Sequence, residues 1–216
     1  FNIMGCSVSM PFKNYFVSML DLKHSTVVKT GAVNTIINNK GKLKGYNTDF
    51  YAATEILKKI KLKNNDSVLL LGNGGVASAI YCSLKYFNLK KIYLCSRNQK
   101  KFSKWNLSLN SKKISWKNRN NIKVSLLINA TSIGMDKKKI PINLKKIHNF
   151  KSILDLVIEN NPKFKKTSIS KNVKFYSGYE FSLLQAIKQF KLYTGINISF
   201  QKAINYLKIK NLMIKK

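Results

Sequence analysis

Ser67-Val68-Leu69-Leu70-Leu71-Gly72-Asn73-Gly74-Gly75-Val76-Ala77-Ser78-Ala79-Ile80-Tyr81-Cys82-Ser83-Leu84 is the stretch that decides the fold. Five residues, mostly apolar and without alternation, read as a strand buried on both faces. A glycine cluster follows, and then a run of small and apolar residues with a helical pattern. Strand, glycine turn and helix in that order make the first half of a βαβ unit that binds a dinucleotide. Gly72 permits a tight turn. Gly74 and Gly75 let backbone approach a pyrophosphate, and Ala79 is small enough for the helix to pack on the strand. The helix start offers free N–H groups and the positive end of its dipole to the anion. Asn73 belongs to the same turn, and Val76 opens the helical run.

Working downstream, Lys91 to Cys95 is a second short strand that ends at Ser96-Arg97-Asn98. An NAD site ends this strand with Asp or Glu, which accepts from the ribose hydroxyls. Here an arginine stands there, with Lys100 and Lys101 just beyond, and no carboxylate. A guanidinium suits a 2′-phosphate, so the expected cofactor is NADP. Val124 to Asn129 and Ile153 to Ile158 are two further apolar runs, as expected of a parallel sheet. The Lys- and Asn-rich stretch 99–121 reads as a solvated helix and loop.

Upstream, residues 1–50 carry short strand-like pieces separated by turn residues, and Thr48 to Ile60 reads as a connecting helix. Downstream, Tyr179 to Tyr193 and Phe200 to Met213 have helical spacing, with Gly195 as a cap between them. The fold class is therefore α/β, a Rossmann-like NADP-binding domain plus a second, split α/β domain. The expected division is 1–60, 61–178 and 179–216, with the last part returning to the first.

The formal net charge of +32 raises the question of nucleic acid. Nearly all basic residues are lysine, and only Arg97 and Arg119 are arginine, the residue that readers of phosphate and base edges recruit. Asn, Ile, Phe and Tyr are abundant as well, as in a chain whose codons favour A and T. Nucleic acid is not expected as a partner, and the charge instead steers small anions. No apolar run approaches a membrane span, and no membrane partner is expected. Cys6, Cys82 and Cys95 lack metal-ligand spacing and read as free buried thiols in a reducing, cytoplasmic compartment, with no metal. The sequence starts at Phe1 and reads there as the middle of a longer chain.

Several segments then line up in order with one family. Ser7-Val8-Ser9-Met10-Pro11-Phe12-Lys13 resembles the Asn-Val-Thr-x-Pro-Phe-Lys motif of shikimate dehydrogenases. Gly31-Ala32-Val33-Asn34-Thr35, Asn47-Thr48-Asp49 and Gly72-Asn73-Gly74-Gly75 are similar to three more of its motifs. So are Ser96-Arg97-Asn98, Ile128 to Met135, and the pair Gly178 and Gln185. The resemblance covers residues 1 to about 195. It implies two α/β domains with the active site between them, and NADP-dependent reduction of 3-dehydroshikimate to shikimate on the route to chorismate. A monomer or homodimer is expected.

By that resemblance Lys13 and Asp49 are the catalytic pair. Ser9, Lys13, Asn34, Asp49 and Gln185 would hold the substrate. Gly72, Asn73, Gly74, Gly75, Val76, Ser96, Arg97, Asn98, Asn129, Thr131, Leu156 and Gly178 would hold the cofactor. For Asn129 and Thr131 a strand-end turn satisfied by its own side chains is the competing reading. The chemistry agrees with the assignment. Oxidising a secondary alcohol removes a hydride and a proton, and a confined lysine oriented by a carboxylate can exchange that proton. Three departures keep alternatives open: the family's N-terminal strand with two carboxylate-binding serines is not in the sequence, Ile158 stands where the family has Tyr, and Phe50 stands where it commonly has Gly. The alternatives are a quinate/shikimate-type dehydrogenase of different specificity, and a non-catalytic nucleotide-binding remnant.

Overall fold

The computed structural model describes residues 3–158 and 161–209, and they form two sheets. The smaller sheet contains β1 (Gly5–Ser7), β2 (Leu22–Lys23), β3 (Thr35–Asn39) and β4 (Lys42–Tyr46) in the order β1-β3-β4-β2. β3 is antiparallel to both β1 and β4, while β2 runs parallel to β4. α1 (Ser25–Thr30) and α2 (Thr48–Ile60) accompany it. Val8, Leu20, Val27, Val33 and Ile36 fill its core.

The larger sheet is built from β5 (Ser67–Leu71), β6 (Lys91–Cys95), β7 (Ser111–Ile114), β8 (Val124–Asn129), β9 (Phe150–Asp155) and β10 (Lys174–Ser177). Its order is β10-β9-β8-β5-β6-β7, and every neighbouring pair is parallel. Counted from β5, this is the doubly wound order 6-5-4-1-2-3 of a dinucleotide-binding fold, with the topological switch at β5. The unalternating apolar run of β5 now has its reason. Val68 and Leu70 face one core with Ile80, Leu84, Ile56 and Phe181, while Leu69 and Leu71 face the other with Phe150, Phe164 and Val173. Each fully buried leucine here contributes about 1.5–3 kcal/mol of transfer free energy. α3 (Gly75–Leu84) and α4 (Pro162–Ser170) lie among the crossovers, and α5 (Gly178–Thr194) and α6 (Phe200–Ile209) complete the chain.

β5, β6 and α2 fall where the sequence places them, and Gly195 caps α5 in the left-handed conformation. Three expectations are corrected. Residues 99–121 are not a solvated helix and loop. They carry the edge strand β7, and Phe102 is fully buried against Trp105 and Tyr81. Lys112 and Lys113, consecutive and both exposed on this edge strand, mask the strand signal. β9 runs from Phe150 to Asp155, not from 153 to 158, because the chain turns away once Asp155 accepts from Val157 N at 3.1 Å. α4, polar in composition, and the short strand β10 lie outside the elements that the sequence pattern marks. Cys6 is exposed, whereas Cys82 and Cys95 are buried. The end of the expected helix from Phe200 to Met213 lies outside the described residues beyond Ile209.

Candidate active site

The C-terminal ends of β5 and β8, the start of α3, the loop after β1 and the inner face of α5 enclose a cleft of about 520 Å³. Its position beside the switch strand is where open α/β sheets bind ligands. Two loops of the small sheet supply the polar residues. Asn47 caps α2, accepting from Phe50 N at 3.2 Å, and its own amide donates to Thr30 Oγ1 and Ala32 O, both at 2.9 Å. That cap fixes the next two residues. Thr48 N donates to Asn34 Oδ1 at 2.8 Å, and Asp49 reaches Lys13.

Lys13 Nζ donates to Asp49 Oδ2 at 2.6 Å, and the two side chains are 13% and 4% exposed. Lys13 is anchored by its carbonyl as well, which accepts from Val33 N at 2.8 Å. The second link between the loops is Asn34, which donates to Thr48 Oγ1 at 3.0 Å and to Gln185 Oε1 at 3.4 Å. α5 thus closes the cleft from the far end of the chain. Gln189, one turn beyond Gln185, donates to Asn34 O at 3.0 Å and to Thr35 Oγ1 at 2.9 Å. Further along, Tyr193 pairs with Ser7 across 186 residues.

The glycine turn forms the opposite wall. Gly72 has φ +111°, and a Cβ on it would strike the carbonyl of Ala130. Its absence of side chain thus lets the chain leaving β5 pass close to the chain leaving β8. Gly74, the residue before α3, provides no side-chain cap, whereas side chains cap α1, α2, α4 and α5. A Cβ built on Gly74 meets nothing within 4 Å. An uncapped helix start facing open space beside a glycine fits a pyrophosphate. Asn73 Nδ2 donates to Ser96 Oγ at 2.7 Å, tying the turn to the end of β6. There Arg97 is exposed, and no acidic residue occurs in the sequence between Asp66 and Asp136. The other arginine is committed elsewhere: Arg119 stacks on Trp116 at 4.2 Å and donates to Pro141 O. The residues at the β6 end therefore fit a phosphorylated ribose.

Of the sequence-predicted residues, the cleft brings together Ser9, Lys13, Asn34, Asp49, Gly74, Gly75, Val76, Thr131, Leu156 and Gln185. Gly72, Asn73, Ser96, Arg97 and Asn98 lie behind or beside it. Two expected cofactor residues are engaged by the protein itself. Asn129 is fully buried, and its amide joins Thr131, Ile133 and Asp155, which shapes the strand end. Gly178 does not line the cleft. A Cβ there would overlap the backbone of Leu156, so it acts by letting Leu156 pass. Phe50 packs edge-on against Tyr86, away from the cleft lining, and Ile158 is 46% exposed. Ser182 and Gln189 line the cleft and were missed by sequence reading. Their spacing from Gln185, three back and four on, was the available signal.

A doubly wound sheet with an open helix start, set against a buried Lys–Asp pair, defines a nicotinamide-dinucleotide oxidoreductase. No family model matches the chain, but individual proteins do. The shikimate dehydrogenase (NADP(+)) of Clostridium beijerinckii is 37% identical over 193 residues, covering 86% of this chain and 70% of that relative. That of Nitrosopumilus maritimus is 35% identical over 200 residues, with 87% and 72% covered. The crystal structure of shikimate dehydrogenase from Aquifex aeolicus superposes with a TM-score of 0.82 at 27% identity, covering 95% of this chain and 77% of that one. The chain belongs to the shikimate dehydrogenase family, whose members are NADP-dependent oxidoreductases.

Proposed function

We propose that this chain interconverts 3-dehydroshikimate and shikimate with NADP. The observation that carries the reading is the buried Lys13–Asp49 pair at 2.6 Å, facing the uncapped start of α3 in one cleft. When bound, the nicotinamide supplies hydride transfer. Lys13 Nζ, as the neutral amine, would then take the proton of the substrate hydroxyl in one direction and, as the ammonium so formed, return it in the other. Asp49 holds the ammonium and accepts from a neighbouring ring hydroxyl. Asn34 and Gln185, already joined to each other, offer an amide and a carbonyl to further hydroxyls, and Ser9 offers a hydroxyl from the facing loop. The backbone at Gly74, Gly75 and Val76 holds the pyrophosphate, while Arg97, with Ser96 and Asn98 beside it, holds the 2′-phosphate.

In this reading residues 1–60 and 179–216 form the substrate side, and 61–178 the nucleotide side, of a cytoplasmic monomer or homodimer. Among the described residues no helix is long and apolar enough to cross a membrane. Following reduced nicotinamide by absorbance, with shikimate and quinate each paired with NADP and NAD, tests the proposal. Shikimate with NADP should be the fastest pair. Preference for quinate would assign a different specificity, and nucleotide binding without turnover of either acid would make the chain a non-catalytic binder.

A further inference from the structure

Gly74 and Gly75 are neighbours, yet the space beside them differs. A Cβ on Gly74 meets nothing within 4 Å, but one on Gly75 meets Lys13 Cδ at 3.3 Å, Lys13 Cβ at 3.5 Å and Ala32 Cβ at 3.7 Å. The backbone itself does not demand glycine at 75, which is the first residue of α3 and lies outside the left-handed region. Alanine is the better helix former there. What a side chain would disturb is the stem of Lys13.

That stem has little freedom to give way. Lys13 O accepts from Val33 N at 2.8 Å, and Lys13 Nζ is held by Asp49 at 2.6 Å. With both ends tied, moving the methylenes by a few tenths of an ångström lengthens the ion pair or tilts the ammonium. Asp49 cannot follow freely, since it is 3% exposed and sits in the first turn of α2.

We propose that Gly75 is a positioning residue for Lys13. Its missing side chain leaves the groove along the start of α3 in which the lysine stem lies, and so sets where the ammonium meets the substrate. The second and third glycines of the turn then divide the work, with Gly74 facing the cofactor and Gly75 facing the proton-exchanging lysine. This inference rests on the proposed role of Lys13.

The test compares Gly75→Ala, Gly75→Val and Gly74→Ala in the full chain. Misplacement of a reacting group by 1 Å costs on the order of 10²-fold, so a shift of a few tenths in Gly75→Ala should lower kcat roughly 3- to 10-fold. Gly75→Val should lower it further. In Gly75→Ala the fall in kcat should exceed the loss of NADP affinity, because the backbone N–H that meets the pyrophosphate is kept. Gly74→Ala should show the opposite split, losing NADP affinity more than kcat. A second readout needs no activity: acetylation of the cofactor-free protein, mapped by mass spectrometry, should label Lys13 faster in Gly75→Ala than in wild type. Unchanged Lys13 labelling, or a loss of NADP affinity with kcat intact, overturns the proposal. Absence of turnover in the wild type would instead sink the proposed function, and the labelling would still decide the role of Gly75.

Discussion

Replacing Lys13 by Met keeps the length of the stem and removes its charge. The buried Asp49 carboxylate then loses its partner at 2.6 Å. At that distance the attraction is about 6 kcal/mol at an effective dielectric of about 20, most of it offset by desolvation of the two groups. Removing one partner of such a pair typically costs about 3–5 kcal/mol, because the other is left buried and charged. Asp49 lies in the first turn of α2, and the helix dipole restores about 0.3–1 kcal/mol of that. The expected loss is therefore about 2–4 kcal/mol, or a fall in Tm of about 5–15 °C for a chain of this size. Asp49→Asn should cost less, since a freed lysine can extend into the water of the cleft. The double variant should be more stable than Lys13→Met alone. Turnover should drop by about 10²–10⁴-fold in each single variant, with the double no worse than the poorer single, because the pair acts as a unit. Melting curves, NADP titrations and shikimate kinetics on all four proteins complete the cycle. Additive losses of stability would show that the ion pair contributes no coupling. Near-normal turnover in Lys13→Met would remove Lys13 from the mechanism.

Three other outcomes are expected. Arg97→Ala should weaken NADP by about 10- to 100-fold, the worth of one or two charge-assisted hydrogen bonds, and leave NAD nearly unaffected; equal losses for both cofactors would assign the 2′-phosphate elsewhere. Gly178→Ala should lower stability by about 2 kcal/mol or more, since its Cβ would overlap the backbone of Leu156 and not a side chain that could turn aside; an unchanged Tm would contradict the close approach of β9 and α5. At pH 8 a thiol reagent should modify the exposed Cys6 quickly and the other two slowly. Burial raises the Cys82 thiol and pushes Cys95 up to about 11, so both stay protonated until the pH rises well above neutrality; rapid modification of all three at pH 8 would show that the two core regions open readily.

The nucleotide half was legible because its signals are local. β5 needs consecutive buried residues, the turn needs glycine at φ +111°, and the helix start needs small residues, all within 18 positions. Arg97 was legible for the same reason, as a residue type at a strand end. The strands that escaped notice, β7 and β10, lie at the two edges of the large sheet, where one side meets water and lysines interrupt the apolar pattern. Lys13 and Asp49 were picked out by the company of their motifs, and nothing in a lysine 36 residues from an aspartate requires them to meet.

The sequence by itself determined the doubly wound sheet and the cofactor class, because short-range sterics and residue chemistry encode them, while its resemblance to one family supplied the names of the candidate catalytic and substrate residues. Only the tertiary structure decided what those residues touch. It paired Lys13 with Asp49, and it turned Asn129 inward to Asp155, away from the cleft. It brought Gln185 and Gln189 back across more than 130 residues to Asn34 and Thr48, and it set Gly75 against the lysine stem. The physical reason is that such contacts depend on how two sheets and a returning helix pack together, a matter of long-range burial that no window of sequence contains.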